Sequence, residues 1–471
     1  MLITGITHGS LGGSHAGAQD VFVAKYASTG TLAWIRQLGT PGYDAGYGVA
    51  TDASGNLFVS GFTYGSLGGP NMGRADAFVA KYDSAGTLAW INQLGTSAAD
   101  ISHGVATDIM GNVFIGGSTE GALNGSNAGQ TDIFLAKYDP SGTLVWTRQR
   151  GTERYDSIFG VATDDLGNVF VGGYTEGDLG GANAGEADAF VAKYGPSGTL
   201  AWMRQLGTPG YDQSSGIATD VAGNVYISGI TQGVSGGPND SDADAFVTKY
   251  TPEGTLEWSR QLGTASNDES LGVATDGWGN VFISGYSGGS LDGQNAGDYD
   301  VHVAKYDSTG ELAWIRQLGT GDRDVSHRVA TDAAGNVVIA GVTRGSLDGP
   351  NQGSADAFIV KLSAPVKPAG DANYDGTVNA LDLSALAFHW DEIDNVWSEG
   401  DFSGDGRVNS VDLAILAANW LVSVSDDGLS SDGPATSLSL SSVPEPSSVA
   451  VMLVGCLLLV HRREAQTTIG T

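Results

Sequence analysis

The chain has 471 residues, and its 22 basic and 53 acidic side chains give a formal net charge of −31. A protein this acidic has no broad basic surface, which excludes a nucleic-acid binder of the usual electrostatic kind. Hydrophobic residues make up 41% of the chain and glycine supplies 72 residues, so the composition is neither collagen-like nor that of a disordered chain. The single cysteine, Cys456, excludes intramolecular disulfides.

A repeat of 56 residues runs from residue 1 to about residue 363. Tryptophan recurs at this step as Trp34, Trp90, Trp146, Trp202, Trp258 and Trp314. Aspartate recurs as Asp20, Asp76, Asp132, Asp188, Asp244, Asp300 and Asp356. The constant step means that no insertion or deletion separates the copies, which is typical of architectures built from one repeated supersecondary unit.

Each copy predicts four short strands, and in the first full copy they are residues 48–52, 57–62, 75–82 and 87–94. They are rich in β-branched and aromatic residues and are bounded by Gly, Asn, Asp or Ser. The connections inside the first and second hairpins are short, whereas residues 63–74 and 95–103 form longer connections. Four antiparallel strands copied about seven times predict an all-β fold, a β-propeller. A β-solenoid is the alternative.

The recurring strings Asp76–Tyr82, Gly86–Trp90 and Val49–Asp52 resemble the bacterial seven-bladed β-propeller repeat family. The resemblance implies the fold for residues 1–363 and implies little about activity, because propellers host many functions. Counting strands gives 26, where seven full blades need 28, so we expect seven blades with an incomplete N-terminal blade. We expect the missing pair, and a signal peptide, upstream of Met1.

Antiparallel strands alternate their turns between the two ends of a sheet, so we expect all the longer connections on one face. The repeated aspartates and glycines are predicted to be structural, and function is expected where copies differ. A first variable ring holds Tyr47, His103, Phe159, Ser215, Leu271 and His327. A second holds His8, Tyr64, Glu120, Glu176, Gln232, Gly288 and Arg344.

Aromatic, imidazole, amide and carboxylate groups on one rim suit a carbohydrate or peptide ligand. Neutral variation in exposed loops is the alternative explanation. No metalloprotease spacing, nucleophile elbow or phosphate-binding loop occurs, so we predict no catalytic residues. If the protein is instead an enzyme acting on polysaccharide, Glu120 and Glu176 are the carboxylates to test.

After a short linker at 364–369, two copies of an oxygen-rich motif follow, 30 residues apart. The first offers Asp371, Asn373, Asp375, Thr377, Asn379 and Asp382, and the second offers Asp401, Ser403, Asp405, Arg407, Asn409 and Asp412. Thr377 and Arg407 would use their backbone oxygens. Side-chain oxygens at positions 1, 3, 5, 9 and 12, with glycine at 6, are calcium-loop chemistry. Each loop runs into a short apolar helical pattern.

This duplicated motif over residues 370–422 resembles a type I dockerin. The resemblance implies a small all-α module that binds two Ca²⁺ ions and docks on a cohesin-like partner. Positions 10 and 11, which often carry hydroxyls in cellulosomal dockerins, are Ala380-Leu381 and Ser410-Val411. The alternative is an acidic linker that binds nothing.

The tail begins with a predicted flexible linker at 423–442 and continues with a hydrophobic segment at 443–464. This segment contains Pro444, Glu445 and Pro446, an apolar run from Ser447 to Val460, and then His461-Arg462-Arg463. Fourteen helical residues span about 21 Å, against a hydrocarbon core of about 30 Å. The basic residues beyond the run favour a topology with everything upstream outside the cytoplasm.

The order of these features resembles the PEP-CTERM sorting signal of Gram-negative bacteria. It implies a C-terminal hydrophobic helix that lies transiently in the inner membrane until an exosortase-type enzyme processes it; a plain tail anchor is the alternative. We therefore expect an exported, non-catalytic binding or scaffold protein of the cell surface or extracellular matrix. Extracellular polysaccharide or a cohesin-like protein is its expected partner. The alternatives are a secreted polysaccharide-active component and a purely structural surface protein.

Overall fold

The computed structural model describes residues 1–233, 243–293, 295–332, 335–347, 349–351, 353–363, 370–372, 378–393, 399–403 and 406–421, and the backbone of 439–442. Two compact units can be distinguished, one containing the strands and the other containing two helices. The linker predicted at 364–369 and the hydrophobic segment predicted at 443–464 lie outside the described residues.

The strands form seven antiparallel sheets, which are the blades of a propeller. Blade 1 contains β1 (Leu2–Thr7), β2 (Asp20–Tyr26) and β3 (Leu32–Leu38); blade 2 contains β4 (Asp44–Thr51), β5 (Leu57–Thr63), β6 (Asp76–Tyr82) and β7 (Leu88–Leu94); blade 3 contains β8 (Asp100–Thr107), β9 (Val113–Thr119), β10 (Asp132–Tyr138) and β11 (Leu144–Arg150); blade 4 contains β12 (Asp156–Thr163), β13 (Val169–Thr175), β14 (Asp188–Tyr194) and β15 (Leu200–Leu206). Blade 5 contains β16 (Asp212–Thr219), β17 (Val225–Thr231), β18 (Asp244–Tyr250) and β19 (Leu256–Leu262); blade 6 contains β20 (Asp268–Thr275), β21 (Val281–Ser287), β22 (Asp300–Tyr306) and β23 (Leu312–Leu318); blade 7 contains β24 (Asp324–Thr331), β25 (Val337–Thr343), β26 (Asp356–Leu362) and β27 (Ser439–Ser442).

The first strands of blades 2 to 7 surround the axis, and we call them the inner strands: β4, β8, β12, β16, β20 and β24. Neighbouring inner strands contact one another. In the five inner strands from β8 to β24, the hydroxyl of the last threonine donates to the carbonyl of the equivalent threonine one blade earlier, at 2.7–2.9 Å. This threonine ladder has five rungs and links Thr51 through to Thr331.

The core lies between the blades. The two middle strands of each sheet are almost entirely buried, and their apolar side chains form clusters that join one blade to the next. One cluster joins Ile3 and Phe22 of blade 1 to Ala357 and Ile359 of blade 7, so the ring closes on itself. The prediction of a propeller is therefore confirmed, and the solenoid alternative is wrong.

A polar clasp joins the outer edges of neighbouring blades. The indole Nε1 of Trp202 donates to the carbonyl of Pro252 at 3.0 Å, and the same carbonyl accepts from Lys193 at 3.2 Å. The guanidinium Nε of Arg204 donates to the carbonyl of Gly254 at 2.8 Å. Equivalent tryptophan bonds recur from blades 1, 2, 3 and 5, so the 56-residue spacing of tryptophan has a structural cause.

Two details differ from the sequence expectation. The inner strands begin four residues earlier than predicted, at Asp44 in blade 2 rather than residue 48, because a bulge hides their alternation. Within the described residues, blade 1 has three strands, and the outer position of blade 7 is taken by β27, which pairs with β26. The outer strand of blade 7 was expected upstream of Met1, and β27 lies in the segment predicted as a flexible linker.

The second unit contains α1 (Ala380–Phe388) and α2 (Ser410–Ala418), which repeat one another at a step of 30 residues. Asn379 and Asn409 cap their N-termini, and Leu386 and Leu416 are buried between them. The two halves also exchange backbone hydrogen bonds: the N–H of Asp391 donates to Val408, and the N–H of Leu421 donates to Val378, both at 2.8 Å.

Candidate functional site

The longer connections lie on one face of the propeller, which we call the loop face. In blade 2, residues 64–75 join the second strand to the third, and residues 95–99 lead to the next blade. Both leave the same end of the antiparallel sheet, opposite the five-residue turns at 52–56 and 83–87. The prediction of a single loop-rich face is confirmed.

The repeated aspartates on this face hold the loops. The carboxylate of Asp76 accepts from the Nε2 of Gln93 and from the backbone N–H of Met72, both at 2.8 Å. The carboxylate of Asp44 accepts from both the backbone and the hydroxyl of Thr40, at 2.6 and 2.9 Å. These bonds recur from blade to blade, which confirms that the repeated aspartates are structural.

The first variable ring lies in the axial channel. In each inner strand, the pairing register slips by one residue, and the residue left over at the slip is the variable one. These bulge residues are Tyr47, His103, Phe159, Ser215, Leu271 and His327, and all six line one cavity. A β-bulge redirects a side chain, so the residues expected on the rim point into the channel instead.

The channel cavity has a volume of about 700 Å³. Its wall is formed by the bulge residues, by Arg328, and by apolar side chains of β1 and blade 7. Burial lowers the pKa of His103 to about 4, and burial next to Arg328 lowers the pKa of His327 to about 3. Both imidazoles are therefore neutral at pH 7 and offer the channel hydrogen-bonding groups without charge.

The second variable ring lies on the loop face, just beyond the second strand of each blade. His8 bonds to Gln19 at 2.9 Å, and Glu120 is exposed and ion-paired with Arg74 at 2.7 Å. Burial raises the pKa of Glu176 above its ordinary value. Arg344 is exposed, and Gln232 and Gly288 donate backbone N–H groups to the residues that precede the inner strands.

Aromatic side chains of both rings form one continuous series, which we call the aromatic arc. Its members, in contact order, are Tyr43, Tyr64, Phe62, Tyr47, His103, Phe159, Tyr174 and Tyr211. Successive ring centroids are 4.8–6.1 Å apart, and Tyr47 and His103 are stacked with an interplanar angle of 14°. The arc begins with exposed Tyr43 and Tyr64 on the loop face and runs into the channel.

A polar network continues where the aromatic arc ends. The Tyr211 hydroxyl donates to Gln213 at 2.6 Å, and the Gln213 amide donates to the channel residue Ser215 at 3.0 Å. Ser215 also bonds to the buried carboxyl group of Glu269, which accepts from the Tyr286 hydroxyl at 2.8 Å. Burial raises the pKa of Glu269 to about 7.

The same network reaches a cation on the loop face. The Arg323 guanidinium lies 5.1 Å from the ring centroid of Tyr299 and 5.7 Å from that of Tyr286. Sequence reasoning missed the residues of this network. For Gln213 and Glu269 the available signal was the position after the first aspartate of the inner strand. This position holds Ala45, Ile101, Ser157, Gln213, Glu269 and Val325, and it varies between copies as much as the two variable rings do.

In the second unit, the described acidic side chains of the two predicted calcium loops are buried. Asp371, Asp382, Asp401 and Asp412 are each at most 4% exposed. The carboxylate of Asp382 accepts from the backbone of Ala372 and Asn379, and that of Asp412 accepts from Ser403 and Asn409, all at 2.7–2.8 Å. Position 12 of each loop is thereby held beside the loop's start.

The donor set fits calcium. Burying four carboxylates in so small a unit is costly unless a cation compensates them, and carboxylate oxygens are the ligands that Ca²⁺ takes. Asn379 and Asn409 accept from the backbone of Leu381 and Val411 as helix caps. Among the described residues no cluster of three acidic, His or Cys side chains occurs, and Asn373, Asp375, Thr377 and Asp405 lie outside that part of the chain.

Apolar side chains are exposed at equivalent places in both halves of this unit. Leu381 and Val411 are 62% and 51% exposed, and Trp390 and Trp420 are 46% and 42% exposed. Duplicated exposed apolar groups of this kind are typical of a protein interface.

Comparisons with known proteins agree with both units. Residues 369–421 match the Dockerin type I domain, a type of domain that generally binds calcium and docks on cohesin-like partners. Residues 33–68, 89–123, 145–180, 201–234 and 257–292 match the family Beta-propeller repeat.

Two curated proteins are similar to this chain at low identity. The regulatory protein FlaEY of Caulobacter vibrioides is 27% identical over 404 residues, which cover 75% of this chain and 41% of that protein. The uncharacterized WD repeat-containing protein L264 of Acanthamoeba polyphaga mimivirus is 22% identical over 430 residues, covering 66% and 31%. The chain thus spans less than half the length of either relative.

Similar solved structures include the periplasmic gluconolactonase PpgL of Pseudomonas aeruginosa, with a TM-score of 0.42, 14% identity, and coverage of 77% of this chain and 92% of that one. A putative 6-phosphogluconolactonase from Bacteroides fragilis has a TM-score of 0.42 at 12% identity, covering 76% and 90%. The repeat and domain matches and the sheet order lead to one conclusion: the chain combines a seven-bladed β-propeller of these repeats with a dockerin type I domain.

Proposed function

We propose that this is an exported, non-catalytic binding and scaffold protein whose propeller recognises carbohydrate at the loop-face mouth of its channel. The observation that supports this proposal is the aromatic arc. Aromatic rings stack on the apolar faces of sugar rings, and a polar network placed beside them supplies directed hydrogen bonds. The arc offers both an exposed entry at Tyr64 and a recessed wall at Phe159.

The dockerin domain attaches the propeller to a cohesin-like partner on or outside the cell. Two calcium ions would be held by its two loops, through the aspartates described above, the side chains of Asn373, Asp375, Asn379, Ser403, Asp405 and Asn409, and the backbone oxygens of Thr377 and Arg407. The exposed Leu381 and Val411 form part of the docking surface. Calcium would neutralise the buried carboxylates and so supply folding energy to this unit.

We further propose that the protein is exported through a PEP-CTERM signal at Pro444, Glu445 and Pro446. An exosortase-type enzyme would process the hydrophobic segment and release the protein to the cell surface or extracellular matrix of a Gram-negative bacterium. This segment lies outside the described residues, and among the helices that the structure describes none is long and apolar enough to cross a bilayer.

A glycan array tests the recognition site. The full chain is expected to bind one class of extracellular polysaccharide, and Tyr64→Ala is expected to weaken binding about tenfold, because a stacked aromatic ring contributes roughly 1–2 kcal/mol. Met110→Ala is the matched control, since Met110 is 74% exposed in a turn on the opposite face. Equal loss in both variants, or no binding by the native chain, contradicts the proposal and leaves a purely structural role.

The buried carboxyl group of Glu269 favours a second candidate function, that of an enzyme acting on polysaccharide. A buried carboxyl group with a pKa raised to about 7 is suited to donating a proton at neutral pH. Product release from a bound polysaccharide that stops in Glu269→Gln, with binding retained, would support this candidate. Binding without any product supports the non-catalytic function.

A further inference from the structure

Two arginines lie opposite each other on the loop face of blade 7. The backbone N–H of Arg344 donates to the carbonyl of Arg323 at 2.9 Å, one position beyond the last residue pair of β24 and β25. The same bond joins Tyr64 to Tyr43 in blade 2, where the two ring centroids are 6.1 Å apart. Because opposite residues of an antiparallel pair present their side chains to the same side, the two guanidinium groups are neighbours.

Among blades 2 to 7, only blade 7 has two cations at this pair of positions. The pairs in blades 2 to 6 are Tyr43 and Tyr64, Ala99 and Glu120, Tyr155 and Glu176, Tyr211 and Gln232, and Asn267 and Gly288. Like charges directly opposite each other destabilise an antiparallel pair of strands. Two arginines at this place therefore reduce the stability of the fold unless an anion compensates their charge.

The protein itself supplies no ion-pair partner for these two side chains. Within the described residues, no carboxylate oxygen lies within 4 Å of either guanidinium, whereas Arg74 on the same face is paired with Glu120 at 2.7 Å. Glu269 lies near Arg323, but burial raises the pKa of this carboxyl group to about 7, so at neutral pH it compensates only part of one positive charge. The neighbouring Asp322 is exposed, and solvent screens its charge.

Aromatic contacts hold one of the two guanidinium groups in place. Arg323 rests against the rings of Tyr286 and Tyr299, and contact with a ring face uses none of its five N–H donors. A guanidinium held in this way loses little freedom when it binds a carboxylate through two parallel hydrogen bonds. Arg344 is exposed beside it and adds a second positive charge.

The arginine pair adjoins the mouth of the channel. Burial, Arg328 and Arg323 together lower the pKa of His327, which places both guanidinium groups near this channel residue. Around the mouth, the aromatic arc occupies blades 2 to 5, the Glu269 network occupies blades 5 and 6, and the arginine pair occupies blade 7. A glycan chain lying on the arc therefore meets positive charge at the same mouth.

We infer that the glycan recognised at the loop-face mouth is acidic: a carboxylate-bearing polysaccharide of the hexuronate class, whose carboxylate binds Arg323 and Arg344 while other sugar rings of the chain stack on the aromatic arc. The inference rests on the proposed carbohydrate recognition and adds the charge of the ligand to it. A planar carboxylate matches the fork of a guanidinium. Two uncompensated cations also attract such a ligand to a protein whose net charge of −31 otherwise repels it.

Calorimetric titration of the full chain with oligosaccharides of galacturonate and of mannuronate tests the inference. Their methyl esters are the matched ligand controls, because they keep the sugar rings and lose the charge. At least one of the two acidic oligosaccharides is expected to bind, about tenfold or more tightly than its ester. Added salt is expected to weaken this binding, since it screens the attraction between the carboxylates and the arginines.

Variants of the protein locate the charge that acts. Arg344→Gln removes one charge from an exposed side chain and is expected to weaken binding of the acidic oligosaccharide about tenfold, whereas Arg344→Lys keeps the charge and should recover part of the affinity. Arg74→Gln is the matched control, since it removes the same charge from a guanidinium already paired with Glu120, and it should change the affinity less than about twofold. The melting temperature of each variant verifies that it is folded.

The possible outcomes separate this inference from the proposed function. If neutral glycans bind and Tyr64→Ala weakens that binding, but the acidic oligosaccharides bind no better than their esters, carbohydrate recognition stands and the inference is overturned. Equal loss of affinity in Arg344→Gln and Arg74→Gln also overturns it, because the arginine pair would then have no special role. If neither acidic nor neutral glycans bind, the inference and the proposed function both fail.

Discussion

In four of the turns between third and fourth strands, the glycine is required by the tryptophan of the preceding blade: Gly86, Gly142, Gly254 and Gly310. Gly254 has a φ of 80°, in the left-handed region, and a Cβ there would lie 2.6 Å from the Trp202 ring. Both the backbone conformation and the contact exclude a side chain. The repeated glycine and the repeated tryptophan are thus two halves of one clasp.

Gly254→Ala is therefore expected to lower the free energy of unfolding by roughly 2 kcal/mol, the sum of backbone strain and displacement of the indole. Chemical denaturation followed by tryptophan fluorescence measures it. Gly277→Ala serves as the control, because its Cβ meets nothing within 4 Å. Equal stability of the two variants would show that the clasp contributes nothing.

His302 takes a place that the other copies give to phenylalanine: Phe22, Phe78, Phe134, Phe190, Phe246 and Phe358. It is fully buried, and burial lowers its pKa to about 4 from about 6.5. Between these values the unfolded chain binds a proton that the folded chain does not. Stability is therefore complete above about pH 6.5 and falls as the pH falls through this window.

His302→Phe is expected to raise the melting temperature at pH 7 and to reduce its loss between pH 7 and pH 4.5, since the aromatic core is restored and one acid-sensitive group is removed. Calorimetry at the two pH values measures both effects. A variant that loses as much stability on acidification as the native chain would contradict the account of His302.

At the scale of elements, the bulge in each inner strand determines where the variable residues lie. The sequence predicted the loop-rich face correctly, because loop lengths alternate visibly. It placed Tyr47 and His103 in loops, because the extra residue of a bulge breaks the two-residue alternation that identifies a strand. Glu269 was missed for the same reason: it follows Asp268 inside a strand that was predicted to begin four residues later.

The helices of the dockerin domain depend on groups that the loops supply. Removing calcium from the full chain with EDTA should leave the buried Asp371 and Asp412 without their cation and unfold α1 and α2. Hydrogen exchange read by mass spectrometry should show faster exchange at residues 378–393 and 406–421, with the strands of blades 3 to 5 unchanged. Unaltered protection of both helices in EDTA would refute the calcium assignment.

At the scale of the whole molecule, stability is distributed over similar interfaces between neighbouring blades. Because each of the five interfaces between blades 1 and 6 has its own clasp and its own apolar cluster, we expect mutations in separate interfaces to act independently. Gly86→Ala and Gly254→Ala belong to the Trp34 and Trp202 clasps. The double variant should equal the sum of the single effects within about 0.5 kcal/mol. A larger deviation in denaturant unfolding would mean that strain passes around the ring.

The same repetition explains what the sequence could establish about the molecule. A constant 56-residue step determined the four strands of a full blade, the seven blades and the structural role of the aspartates. It could not establish how the ring closes, since closure depends on strands that belong to no complete copy, as β27 and β1 show. The Glu269 network spans blades 5 and 6, and no spacing within one copy reveals contacts between side chains of two.

The clasp between blades also bears on how such a chain lengthens over evolutionary time. Its acceptors are main-chain oxygens, at Ser84, Pro140, Pro196, Pro252 and Ser308, so the residue at the tip of each turn can change without breaking the joint. A tandem duplication of one 56-residue segment would carry both the indole of one joint and the acceptor of another. New modules would thus arrive with matching connectors, leaving the channel-facing residues to diversify.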